Sequence, residues 1–149
     1  MDDESRLSVY NKELMDLSGQ VEFPKHLQQP YVAAKAVSPI CGSKVTIELT
    51  LHDGRVSGFG YEVEACALTK SVIAVMSTAI LGKTRQDIAR AGEELRAMLA
   101  DDAPPPTGDW SGLKILQPAS GYKARHNAIM LPFEAVEKAF TIKPPLPKV

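Results

Sequence analysis

The feature that most restricts the fold of this chain is a pair of alternating apolar runs joined by Asp53-Gly54. Val45, Ile47, Leu49 and Leu51 alternate with Thr46, Glu48 and Thr50. Beyond the Asp-Gly dipeptide, Phe59, Tyr61, Val63 and Ala65 alternate with Gly60, Glu62 and Glu64. A period of two puts each apolar set on one face of an extended strand, and Asp-Gly tolerates the positive φ that a tight hairpin turn needs. An isolated hairpin is marginal in water, so its apolar face requires a further strand or a helical layer. Val32 to Val37 reads as that further strand, joined to the hairpin through Ser38-Pro39-Ile40-Cys41-Gly42. The result is a three-stranded antiparallel meander.

The rest of the chain reads as helix. Tyr10, Leu14 and Leu17 share one face of a segment from Leu7 to Leu17, closed by Ser18-Gly19, and a loop with Pro24 and Pro30 follows. Ala67 to Leu81 is rich in apolar and small residues, with Gly82 placed as a C-terminal cap. Thr84-Arg85-Gln86-Asp87 resembles a capping box that opens a helix running to about Leu99. Pro104, Pro105 and Pro106 make Asp101 to Asp109 a loop, and Trp110 beyond it is expected to anchor that excursion to the core. A last helix is predicted from Tyr122 to Phe140, with Ile129, Met130, Phe133, Val136 and Phe140 on one stripe. Pro132 removes one backbone donor inside it. Pro144-Pro145-Leu146-Pro147 cannot be helical, and residues 141–149 read as a frayed tail. No internal repeat is present, so residues 1–149 are expected to form one domain: an α+β two-layer sandwich, a meander packed against helices.

Charge and cysteine usage exclude several roles. A formal net charge of −1 leaves nothing global to recruit nucleic acid or an anionic membrane. No apolar run approaches the ~18 residues of a membrane span. Met1-Asp2-Asp3-Glu4 is acidic where a secretory signal is basic and then apolar, which points to the cytoplasm. In that reducing compartment Cys41 and Cys66 are not expected to be a structural staple. No phosphate-binding glycine loop and no catalytic Ser/His/Asp arrangement is evident.

The cysteines sit at two turn-to-element junctions. Cys41 lies in the turn before the second strand, where Gly42 permits a sharp bend. Cys66 opens the apolar helix, where unpaired N–H groups and the positive end of the helix dipole favour the reactive thiolate. In a meander, the turn before strand two and the end of strand three share one end of the sheet. The two thiols are therefore expected to be neighbours, an arrangement that suits a soft metal, a sulfur-transfer site or a redox pair. Packing as small buried hydrophobes is the plain alternative. His126, at the start of the last helix, is the further candidate ligand, and Lys123 and Arg125 beside it read as a solvated helix start. His26 and His52 are expected on the surface.

Together, Ser38-Pro39-Ile40-Cys41-Gly42, the Asp53-Gly54 hairpin, Ala65-Cys66-Ala67-Leu68 and the run from Arg125 to Leu131 leading to Glu134-Ala135-Val136 resemble the IscU/SufU/NifU N-terminal family of iron–sulfur cluster assembly scaffolds. The resemblance covers about Tyr10 to Phe140, and the long segment before the last helix is more similar to the SufU branch. It implies a SufE/NifU-like fold and a scaffold rather than an enzyme. It also implies a site of three cysteines and an aspartate or histidine around zinc or a nascent cluster. The partners it implies are a cysteine desulfurase and iron–sulfur client or carrier proteins.

Carried over by position, Cys41 and Cys66 take the first two cysteine places. Ser43 stands where the family has its aspartate, and Ala128 where it has the third cysteine. Asn127 occupies the place of the histidine found in IscU proteins, with His126 one residue earlier. The ligand set so implied is Cys41, Cys66 and His126, for iron, an iron–sulfur cluster or zinc. A Cys₄ shell around a [2Fe–2S] cluster would need a second protomer, as in a homodimer, or a small thiol. Two alternatives stand beside this: Cys66 or Cys41 as a metal-free acceptor of desulfurase sulfur, which would add a sulfur-transfer activity or regulate the desulfurase, and a degenerate scaffold kept as an interaction protein.

Overall fold

The computed structural model describes residues 10–39 and 42–142. Its sheet is the expected meander: β1 (Val32–Val37), β2 (Lys44–His52) and β3 (Arg55–Glu64) in that order, both pairs antiparallel. Asp53 and Gly54 take φ of +53° and +77°, the handedness that lets a short hairpin follow the twist of its strands. Ile47 pairs with Tyr61 and Leu49 with Phe59, so these four apolar residues face the same way and are buried.

Two residues depart from simple alternation. Leu51 is 39% exposed, because the ladder shifts register between Thr50 and Leu51 and the alternation that predicts its burial ends there. Glu48, on the opposite face, is only 5% exposed. The segment around residues 25–27 crosses that face: Lys25 exchanges both backbone hydrogen bonds with Tyr61 (2.9 and 2.7 Å). The Leu27 N–H then donates to Glu48 Oε1 (2.7 Å), and His26 Nδ1 lies 2.8 Å from Glu48 Oε2. Gly60 makes this possible, since a Cβ there would sit 2.6 Å from the Lys25 carbonyl oxygen and 2.8 Å from Glu48 Oε1. Gly60→Ala is therefore expected to displace the crossing segment and to cost about 1–3 kcal/mol in chemical denaturation. An unchanged midpoint would show the segment to be freely movable.

His26 is exposed, as expected, but not isolated. The hydrogen bond to Glu48 holds its imidazolium above the ordinary histidine range, with desolvation opposing and the charges of Glu48 and Glu62 adding to the rise. A raised folded-state value means that this pair stabilises fully below the unfolded value of ~6.5, and that the contribution is lost as pH rises through the folded value. The expected NMR titration of His26 has its midpoint above ~6.5, returning downward in Glu48→Gln. A midpoint that ignores Glu48→Gln contradicts this.

Among the described residues, four α-helices and a long 3₁₀ stretch build the other layer. α1 (Lys12–Gly19) starts at Asn11, whose Oδ1 accepts from the Leu14 N–H at 2.9 Å, so Tyr10 lies outside the helix; Leu7 and Val9 fall outside the described residues. α2 (Ala67–Ala79) is buried on most of its surface, as its apolar composition requires, and Gly82 follows it with φ +82°. α3 (Arg85–Asp101) opens on the expected capping box, Thr84 and Asp87 bonding reciprocally at 3.1 and 3.2 Å. Beyond the prolines, Gly108–Gly121 forms a 3₁₀ helix that buries Trp110, Leu113, Leu116 and Ala119. Trp110 anchors it as expected, its ring 5.5 Å from that of Phe133. α4 (Lys123–Thr141) packs across β1 and β2 and against α2 and α3, with Pro132 inside it. The proline-rich tail from Pro144 lies outside the described residues. No described helix is long and apolar enough to cross a membrane.

Candidate functional site

The strand register sets up one end of the sheet as the site. Val37 pairs with Lys44, and Lys44 with Glu64, so the end of β1, the start of β2 and the exit of β3 lie side by side. Cys41 and Ile40 lie outside the described residues. The described part of their turn is closed by Ser38 N–H donating to the Ser43 carbonyl (2.8 Å) and Gly42 N–H to the Ser38 carbonyl (2.9 Å). Gly42 has φ +75° with open space where a Cβ would be, so conformation rather than room selects glycine there. Ser43, which the resemblance sets at the place of an aspartate, is buried.

Cys66 is the N-cap of α2, with φ −73° and ψ 170°, and its side chain makes no capping bond. It is a free, half-buried thiol. Its Sγ lies 3.6 Å from Thr69 Oγ1, and the Thr69 hydroxyl donates to the Ala128 carbonyl at 2.9 Å. The Cys66 sulfur is thus two contacts from the backbone of residue 128, the place that the resemblance gives to a third cysteine. Ala128 is itself buried.

His126 Nε2 lies 3.1 Å from the carbonyl oxygens of both Ala119 and Ser120. Carbonyls only accept, so Nε2 carries hydrogen and donates, and the lone pair of the neutral ring is on Nδ1. Metal-ligating histidines are usually oriented in this manner, one ring N–H tied to the backbone and the other nitrogen free. Among the described residues, however, no group of three or more His, Cys, Asp or Glu side chains is placed to hold a metal ion. Among the described residues, three buried side-chain polar atoms lack a hydrogen-bond partner: Ser38 Oγ, Tyr122 OH and Asn127 Oδ1. Each belongs to a segment that carries a candidate ligand, the Cys41 turn or the opening of α4. Buried polar atoms are nearly always paired, so each of these has a bond to make with water or with a bound species.

Sequence reasoning passed over Thr69. Its signal is a hydroxyl one turn after an N-terminal cysteine in an otherwise apolar stretch, and nothing local distinguishes that from ordinary helix content.

No protein-family model matches the chain. A solved structure does: the N-terminal part of a nitrogen-fixing NifU-like protein from Brucella abortus is 34% identical, with TM-score 0.86 over 92% of this chain and 95% of that one. The chain belongs to the IscU/SufU/NifU N-terminal family. Its α+β fold, an open antiparallel sheet with helices, is that of this family. A curated relative in the IscU/SufU/NifU group is the iron–sulfur cluster assembly scaffold protein IscU of Thermotoga maritima, 21% identical over 88% of this chain and 92% of that one. A SUF-system scaffold from Fervidobacterium islandicum shares the fold, with TM-score 0.78 and 20% identity over 88% of this chain and 96% of that one. Against the three cysteines that the resemblance implies, the chain has 2.

Proposed function

We propose that the protein is an iron–sulfur cluster assembly scaffold whose cargo is held by Cys41 and Cys66, with His126 Nδ1 or Asn127 Oδ1 as the third donor. Family membership supports the role. The observation that carries the site is the contact chain from Cys66 through Thr69 to Ala128, which ties the opening of α2 to the opening of α4. Two thiolates and one further donor leave a coordination position open, unlike the four-ligand shell of a structural zinc site. An open position suits a protein that accepts cargo and gives it up. Zinc would take the same donors, and a [2Fe–2S] cluster would draw its remaining thiolates from a second protomer or a small thiol. The protein then acts as a platform rather than an enzyme. Sulfur comes from a cysteine desulfurase and the product passes to client or carrier proteins, in a cytoplasm reducing enough to keep both thiols free.

A second reading rests on Cys66 being a free, half-buried thiol at a helix N-terminus. Its thiolate attacks the outer sulfur of a desulfurase persulfide, the desulfurase thiolate leaves, and Cys66 carries the persulfide without metal. Anaerobic reconstitution with iron and sulfide, or loading with zinc, separates the two. About one iron or zinc per chain, lost in Cys41→Ser and in Cys66→Ser, is the expected result for a scaffold. No bound metal, with the mass of one added sulfur on Cys66 after incubation with desulfurase and cysteine, overturns the scaffold in favour of the acceptor. A desulfurase complex with neither chemistry leaves only an interaction role.

A further inference from the structure

We infer that Thr69 is a positioning residue that couples the state of the Cys66 sulfur to helix α4 at Pro132. The inference rests on the proposal that Cys66 takes up cargo, and it follows from counting hydrogens. Thr69 is fully buried, and its hydroxyl has one hydrogen and two lone pairs. The Ala128 carbonyl, 2.9 Å away, can only accept, so the hydrogen belongs to that bond. What Thr69 presents to Cys66 Sγ at 3.6 Å is therefore a lone pair, and the thiol engages it as an S–H donor.

The Ala128 carbonyl has a particular need of that hydrogen. In an α-helix it would accept from the N–H four residues on, and the residue there is Pro132, which has none. Thr69, reaching over from α2, supplies the donor that the proline removes. The hydroxyl thus serves two masters through one hydrogen, and all groups are satisfied only while the sulfur keeps its own.

A metal bound at Cys66 replaces that sulfur hydrogen. The sulfur then has only lone pairs to offer, and these face the lone pair of Thr69. Rotation of the hydroxyl toward sulfur relieves the clash and leaves the buried Ala128 carbonyl without its donor, at the turn of α4 that already lacks one. Loading of Cys66 is thereby transmitted to α4, the helix that carries His126 and Asn127 and packs across β1 and β2.

Methylmercury is the probe, because it takes a single thiolate whatever other ligands are present, forming S–Hg and releasing the thiol proton. The result is then independent of whether the protein holds iron. In a Cys41→Ser background, where Cys66 is the one remaining thiol, mercuration is expected to move the Ala128 carbonyl ¹³C resonance. It should also speed amide exchange in the α4 turns around Pro132 by about fivefold, the worth of one net hydrogen bond. Thr69→Ser should respond in the same way. Thr69→Val should exchange fast before mercury and not change with it. Pro132→Ala, which restores the helical N–H, should keep α4 exchange slow with or without mercury. No adduct at Cys66, no response in the Thr69 protein, or an undiminished response in Thr69→Val or Pro132→Ala overturns the inference. Should Thr69→Val fail to fold, Pro132→Ala decides alone.

Discussion

Ala128→Cys is expected to tighten zinc binding by about tenfold or more, equivalent to ~1.4 kcal/mol. The contact chain through Thr69 places the backbone of residue 128 beside Cys66, so a further thiolate there enters the neighbourhood of that sulfur. A third sulfur moves the donor set toward the closed shell that soft metals prefer. The site is buried, and the added sulfur costs packing of the order of 1–3 kcal/mol in the metal-free protein. The two effects have opposite signs and separate cleanly. Thermal denaturation without metal should show a lower midpoint than the parent, and the midpoint should rise further than the parent's when zinc is added. Competition against a chelator gives the affinity directly. Equal affinities would mean that residue 128 does not converge with Cys66, and would remove the main support for the proposed site.

Trp110→Ala is expected to destabilise the protein by about 3–5 kcal/mol, a large part of the stability of a domain this size. Trp110 is the first buried residue of the 3₁₀ stretch and packs on Phe133 of α4. Phe133 in turn lies so close to Gly92 of α3 that a Cβ there would be 3.0 Å from its ring. Removing the indole opens a cavity between three elements that cannot close without moving the helix that carries His126. Chain denaturation must be followed by circular dichroism, since Trp110 is the only tryptophan. Trp110→Phe should recover more than half of the loss. A cost below about 1 kcal/mol would mean that the 3₁₀ stretch is a loosely held cover and not part of the core.

Local patterns in the chain were enough for the sheet, the hairpin and three of the helix boundaries. Alternation at Val45-Ile47-Leu49 and Phe59-Tyr61, Asp53-Gly54 between them, and Thr84 with Asp87 are short-range signals, set by the pleat of a strand and the orphan N–H groups of a helix start. The 3₁₀ stretch was also written in the chain, as apolar residues at every third position: Trp110, Leu113, Leu116 and Ala119. That period matches a 3₁₀ helix but is seldom sustained for so long, so the stretch is not among the elements expected from the sequence.

By itself, then, the sequence determined an α+β meander with helices and the membership of a scaffold family on a handful of residues, among which Ser43 and Ala128 read as the places of two absent family ligands. Tertiary structure decided what surrounds those positions. Glu48 alternates as a solvent-facing residue and is buried only because residues 25–27 cross over it. Thr69 looks like ordinary helix content, and Pro132 like a local defect. They become one feature when α2 and α4 pack together, and the hydroxyl of one helix supplies the hydrogen that the other lacks. Hydrogen-bond debts between distant segments depend on which atoms packing brings within about 3 Å, and no periodicity in a chain records that.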